Sequence, residues 1–304
     1  MIILVSIATF LMLHFMVGDP LNVYIHNKQL EGMTEADRQM LRVEFGLNKP
    51  LVIQYLNWAN GVLHGDLGTS WSFNMSVSTL VKQSLPITLY LSVLSLLLCV
   101  ILGPVIGTIC ALKRGTWIDF ILTIAANLGI TIPSFWLGIV LIYILALKLG
   151  WLPTNGYTSP FNDFWLSTRQ VIMPVICLAL PPIAGLARQT RSAVLEVVHK
   201  DYVRTAWSKG MSERTIVIRH VIKNAFLPII TMIGMQVAMI FGGAVLIETV
   251  FNIPGMGRLL VNAVFSQDYQ IVQGGTLIMA TLVMITNIIV DISYGWIDPR
   301  IRYN

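Results

Sequence analysis

Six stretches of this chain, at 1–17, 86–112, 117–147, 170–187, 228–250 and 271–295, are apolar, the first short for a span and the other five each over about the length that a bilayer demands. A hydrocarbon layer about 30 Å thick takes roughly 20 apolar residues in a helix. With no water there to satisfy backbone groups, a helix is the form such a segment adopts. Composition excludes the soluble alternative, because 55% hydrophobic against 12% charged residues over 304 positions leaves too little polar surface to coat a globule. The expected architecture is therefore an all-α polytopic membrane protein with six transmembrane helices. Residues 1–17 form the first span, 18–85 an extracytoplasmic scaffold segment, 86–295 a core of spans two to six that includes a cytoplasmic loop at 188–227, and 296–304 a cytoplasmic tail.

The third run is 31 residues long, about 46 Å at 1.5 Å per residue, so it must tilt or bend, and Pro133 offers the bend. The first run lacks a basic leader region and a small-x-small cleavage site before Gly18-Asp19-Pro20, which reads as a retained span and not a cleaved signal. In segment 18–85, Thr34-Glu35-Ala36-Asp37 has the form of a capped helix start. Gly46 and Pro50 end that helix, and Leu51 to Trp58 reads as a second, interfacial one. Loop 113–116, segment 188–227 and the tail hold two, eight and two Lys or Arg, whereas the opposite side spreads eight over about twice the polar length. The positive-inside rule puts the denser side, and with it both termini, in the cytoplasm.

A net charge of +5 fits Lys and Arg retained in cytoplasmic loops and calls for no nucleic acid. Cys99, Cys110 and Cys177 sit in apolar stretches without paired spacing and read as small buried hydrophobes. His14 between Met12 and Met16 reads as apolar filling, so no metal is expected, and His199 and His220 lack an acidic or cysteine constellation for catalysis. Glu248 and Asp291 fall near the ends of the last two spans, where structural pairing with the loop carrying Arg258, or with Arg300 or Arg302, is the favoured role. Span glycines and prolines, among them Gly103-Pro104, Gly107, Pro174, Pro181-Pro182 and Gly234, read as close-packing sites first and hinges second. Pro133, Gly242, Gly243 and Glu248 are kept as candidates for a path or gate.

The forty residues from Arg188 to Leu227 have helical periodicity with a punctuating glycine. Asp201 to Lys209 reads as a short helix broken at Gly210, and a second helix starts at Ser212-Glu213 and runs toward Pro228. Two short helices meeting at a glycine make a knob that presses into a groove on a soluble partner; the competing view is a basic loop held by anionic lipid.

Here the chain resembles the binding-protein-dependent ABC importer permeases. The residues that carry the resemblance are Asp201, Tyr202, Arg204-Thr205-Ala206, Gly210 and then Arg219-His220, Asn224 and Pro228. Arg204 stands where that family usually has glutamate. Gly18-Asp19-Pro20, Phe45 to Leu51, Gln54-Tyr55, Gly65 to Ser70, Leu152-Pro153-Thr154, Pro254 to Arg258 and Asp298-Pro299-Arg300 resemble landmarks of the first of two permeases in dipeptide, oligopeptide and nickel systems. The resemblance implies a type I importer fold and a non-catalytic transport subunit whose cytoplasmic coupling loop, 188–227, carries the ATPase-coupling residues just named, with Pro228 directly after it. It also implies four kinds of partner: a second homologous permease, two ABC ATPase subunits that bind ATP and Mg, an extracytoplasmic substrate-binding protein and membrane lipid. This chain itself has no G-x-x-x-x-G-K-[ST] phosphate loop and is expected to bind no cofactor. Di- or oligopeptides are the expected substrates, with nickel chelates or glutathione as alternatives. A non-transporting scaffold or sensor and a stand-alone secondary transporter are the rivals from other classes.

Overall fold

The computed structural model describes residues 1–16, 20–28 and 32–297. Gly18-Asp19 and Asp298-Pro299-Arg300 lie outside the described residues, as do Arg302 and the side chains of His14, Pro20, Pro228 and Asp291. The described chain is helical, with one isolated antiparallel bridge between Thr69 and Ser76. It divides into two compact units, Met1–Thr88 with Pro254–Leu282, and Leu89–Ile253 with Val283–Asn304.

In the first unit α1 (Ile2–Met16) is followed by α2 (Pro20–Asn27), α3 (Glu35–Glu44) and α4 (Leu51–Leu63). Thr34 opens α3 with a capping box, its hydroxyl accepting from the Asp37 amide and the Asp37 carboxylate accepting from the Thr34 amide. Gly46, at φ +67°, turns the chain out of α3, which an L side chain resists. Phe10 of α1 packs on Tyr55 and Trp58 of α4 at ring separations of 5.5 and 6.5 Å. The unit is completed by α12 (Met256–Phe265) and the first turns of α13 (Tyr269–Ile297). Asp268 is fully buried yet satisfied, taking the Ser70 hydroxyl at 2.6 Å, the Ser72 amide at 2.9 Å and the Ile271 amide at 3.4 Å. Leu67, Val77, Leu80, Met256, Leu259 and Ile271 belong to a hydrophobic core in this unit.

The second unit holds most of α5 (Val77–Leu112), then α6 (Trp117–Thr131), α7 (Ser134–Leu141, continued as a π-helical turn to Lys148), α8 (Phe164–Val198), α9 (Asp201–Ser208), α10 (Glu213–Thr215, continued as a π-helical turn to Ile222) and α11 (Lys223–Val250). The central helix is α8: 61% of its most apolar stretch is buried, against 28% for α5 and 44% for α11. Pro174, Pro181 and Pro182 fall inside it, Pro174 and Pro182 buried, as suits a proline-containing helix within a bundle. Glycine brings α5 against it. A Cβ on Gly103 would stand 2.9 Å from Leu186 Cβ, and one on Gly107 2.3 Å from the Ala187 carbonyl oxygen.

Helices α6 and α7 meet at Ile132-Pro133 with a bend of 104°. Their contacts decide whether the pair crosses the membrane or turns back. Asp119 at the start of α6 bonds Arg191 near the end of α8, Gly129 faces Ala184 and Leu180, and Gly138 of α7 faces Val250 and Phe251 at the far end of α11. The pair therefore advances from one end of the unit to the other as one broken crossing.

Among the described residues, four unbroken helices are long and apolar enough to span a bilayer, and the broken pair makes five. The first expected span coincides with α1, whose 15 described residues cover about 22 Å. Helix bounds also run beyond the apolar stretches. The expected fourth span, 170–187, is part of a 35-residue helix ending at Val198, because Val194 and Val197 keep a buried face going past Arg188 and Arg191.

Candidate functional site

The end of α8 carries a small hydrophobic core of its own. Val194 and Val197 of α8, Val203 and Ala206 of α9, Ile216 and Val221 of the π-helical turn, Ala225 of α11 and Ala111 of α5 pack together, all at most 8% exposed. In α9 the two buried residues are three apart, so the helix lies with one stripe down and Tyr202, Arg204 and Trp207 in the open. Asp201 sits in its first turn, where a carboxylate suits the positive helix end. Thr205 Oγ1 donates back to the Asp201 carbonyl at 3.0 Å and Ser208 Oγ to the Arg204 carbonyl at 3.1 Å.

Gly210 terminates α9 in a Schellman arrangement. Its amide donates to the Trp207 carbonyl at 3.0 Å and the Met211 amide to the Ala206 carbonyl at 3.4 Å, while Met211 packs on the core beneath. The residue stands at φ +73° with nothing within 4 Å of where a Cβ would lie. Glycine is needed here for backbone conformation and not for space. Ser212 begins the next helix and its hydroxyl lies 2.8 Å from that of Thr215. Arg219 is exposed and His220 half-buried on the π-helical turn, and the His220 carbonyl accepts from Asn224 Nδ2 at 2.7 Å. Asp201, Tyr202, Arg204, Thr205, Ala206, Gly210, Arg219, His220 and Asn224 thus belong to one two-helix elbow mounted on the ends of α5, α8 and α11.

The path candidates are elsewhere. Pro133 is at the break between α6 and α7, Gly242 has open space at its Cβ position, a Cβ on Gly243 would stand 3.4 Å from Leu178 Cδ2, and Glu248 is fully buried in the last turns of α11.

A second polar constellation was not singled out by the sequence. Asp119 is 7% exposed and receives a two-pronged guanidinium from Arg191, Nε to Oδ1 at 3.0 Å and Nη2 to Oδ2 at 2.9 Å. The Gly115 amide at 3.1 Å and Thr123 Oγ1 at 3.3 Å complete its shell. Two residues beyond Arg191 the elbow core begins at Ala193. The signal that points to the pair is an acid inside an apolar run, which calls for a buried partner; which of eight cations in 188–227 supplies it is a matter of tertiary structure.

The elbow is an exposed surface of aromatic rings and cations on an apolar footing, joined to the membrane helices. The sequence pattern of the family described as "Binding-protein-dependent transport system inner membrane component" matches residues 103–303. The chain belongs to that family. Its likeness to individual permeases runs from end to end. A probable peptide ABC transporter permease of Sinorhizobium fredii is 40% identical over 302 residues, covering 99% of this chain and 95% of the relative. A putative peptide permease of Brucella suis is 38% identical over 305 residues, with the same coverage. The oligopeptide transport system permease AppB of Bacillus subtilis is 37% identical over 302 residues, covering 98% and 94%. Among solved structures, the inward-facing MetNI methionine ABC transporter shares the permease fold, with a TM-score of 0.58 at 15% identity over 72% of this chain and 96% of that one. The chain is accordingly a multi-pass inner-membrane component of a binding-protein-dependent ABC transport system, with the all-α fold of ABC importer permeases.

Proposed function

We propose that this permease forms half of the translocation path for di- or oligopeptides and is driven by separate ATPase subunits through the elbow around Gly210. The observation that carries the substrate is the full-length relation to permeases named for peptides, at 37–40% identity. In this reading a second, similar permease completes the path, two ATPases bind ATP and Mg, and an external binding protein delivers the peptide. The chain is then a non-catalytic subunit with both termini in the cytoplasm. Tyr202, Arg204 and Trp207 offer the ATPase a mixed aromatic and cationic face, while Val203 and Ala206 tie that face to α8. A push on α9 is passed to the ends of α5, α8 and α11 as a rigid-body movement.

The test is reconstitution of the permease with its partner subunits and binding protein. Peptide is expected to stimulate ATP hydrolysis and to accumulate, and recovery of a nickel chelate as the binding protein's ligand would overturn the peptide assignment. Gly210→Val, which forces a β-branched residue to positive φ, is expected to abolish stimulation while the protein still inserts. Gly210→Asn is expected to keep most of it, because asparagine tolerates this conformation. Full stimulation in Gly210→Val would remove the elbow from the coupling route.

A further inference from the structure

Three of the sequence landmarks that the coupling reading leaves unexplained, represented by Phe45-Gly46-Leu47, Gln54, and Asp66 with Gly68, come together in the first unit around a cavity of about 300 Å³. Five rings line it. Phe45, Trp71 and Tyr269 form a connected wall, with ring separations of 6.0 and 5.7 Å, and Phe10 with Trp58 forms another. The polar lining is made of amides, including Gln54, Gln270 and Gln273, and one carboxylate, Asp66; no Lys, Arg or His is among the lining residues.

The cavity depends on glycine. A Cβ on Gly68 would stand 2.5 Å from Gln270 Oε1, and one on Gly61 3.3 Å from the Asp66 carbonyl, so side chains at either position would crowd the lining. Two lining residues also hold buried donors with no acceptor among the described residues, Trp58 Nε1 and Gln273 Nε2, and Gln273 is only 6% exposed. An unmet buried donor is costly, and two beside one cavity point to an occupant that brings oxygen. Aromatic faces with a carboxylate and no competing cation select positive charge.

We propose that this cavity is a subsite for the free amino end of a peptide. The ammonium lies among the rings and beside Asp66, and a backbone carbonyl is taken by Trp58 or Gln273 after a small shift of either side chain. The inference rests on the peptide reading above. The volume is at the small end of the roughly 300–1,000 Å³ of small-molecule sites, enough for the leading residue or two, with the rest of the peptide outside.

The experiment uses the assembled transporter in lipid nanodiscs without ATP, and a tripeptide carrying a diazirine on its first side chain, with a free or an acetylated amino end. Cross-links mapped by mass spectrometry are expected within 45–71 and 269–273, and acetylation is expected to reduce them about tenfold. Asp66→Asn, which keeps an oxygen for the Gly68 amide that Asp66 Oδ1 now accepts at 2.8 Å, is expected to lose a similar factor. Equal labelling by the acetylated peptide, or cross-links elsewhere that ignore Asp66→Asn, overturns the subsite, and the acetylation arm stands even if the variant misfolds. Uptake of the same free tripeptide separates the two readings. Normal uptake with indifferent labelling overturns the subsite alone, whereas absent uptake counts against peptide transport and leaves amine-dependent labelling as support for the cavity.

Discussion

Gly107 and Gly210 are both indispensable glycines, for opposite reasons. Gly210 has room for a side chain but a backbone angle that resists one; Gly107 has ordinary helical angles but no room, since a Cβ there would be 2.3 Å from the Ala187 carbonyl oxygen and 2.6 Å from Thr190 Cβ. Both of those contacts are on α8, whose backbone cannot yield to a single side chain. Gly107→Ala is therefore expected to push α5 from α8 and to destabilise the protein by about 1–3 kcal/mol, the range for overpacking. Gly242 is the internal control. It lies in helix α11 with nothing within 4 Å of the Cβ position, so Gly242→Ala is expected to be neutral or to stabilise by up to about 1 kcal/mol. Thermal unfolding in detergent, read as the difference between the two variants, checks the argument. A Gly107→Ala protein as stable as the parent would show that the α5–α8 approach is looser than these distances state.

At the scale of elements, the Asp119–Arg191 pair pins the first turn of α6 to α8 just before the elbow core begins. Truncating one partner strands the other's charge at a site where Asp119 is nearly buried. Asp119→Leu and Arg191→Met are each expected to cost about 2–3 kcal/mol, and the double variant less than either, because an unmade buried ion is worse than an apolar pair. Unfolding measurements on the two singles and the double supply the cycle; simple additivity would mean the two groups do not act together. This pair marks where sequence reading stops. The helices were legible wherever a local rule sufficed: Thr34 with Asp37 for the start of α3, Pro133 for the break, Gly210 for the end of α9. Bounds were less so, since Arg188 and Arg191 end the apolar run without ending α8. Partnerships 72 residues apart, such as Asp119 with Arg191, depend on which helices pack. So does the cavity formed by Phe45, Asp66 and Tyr269. Neither has a periodicity to reveal it.

At the scale of the whole molecule, the second unit has two chemically different ends. The ion pair and the elbow core gather the end of α5, the start of α6, the end of α8 and the start of α11 at one of them, so every Lys and Arg of 113–116 and 188–227 is near that end. At the other end Lys148 closes the π-helical turn after α7 and Arg169 lies in the second turn of α8, donating to the Trp151 carbonyl at 2.9 Å, and the Gly156 amide donates to the Phe251 carbonyl beyond α11. Ten cations against two is a strong bias for a cytoplasmic elbow. It also requires the broken α6–α7 pair to cross, because a pair that turned back would leave both ends of α8 on one side. The expectation is that an impermeant maleimide, applied to right-side-out vesicles of a variant lacking Cys99, Cys110 and Cys177, labels Phe161→Cys and spares Ser208→Cys. Phe161 is 96% exposed and Ser208 lies on the open face of α9, so neither result depends on burial. Lysis should then expose Ser208→Cys. Labelling of Ser208→Cys in sealed vesicles would invert the protein and take the elbow out of reach of any cytoplasmic ATPase, whereas protection of both sites until lysis would make α6 and α7 a re-entrant hairpin and contradict the contacts that α6 and α7 make along α8 and α11.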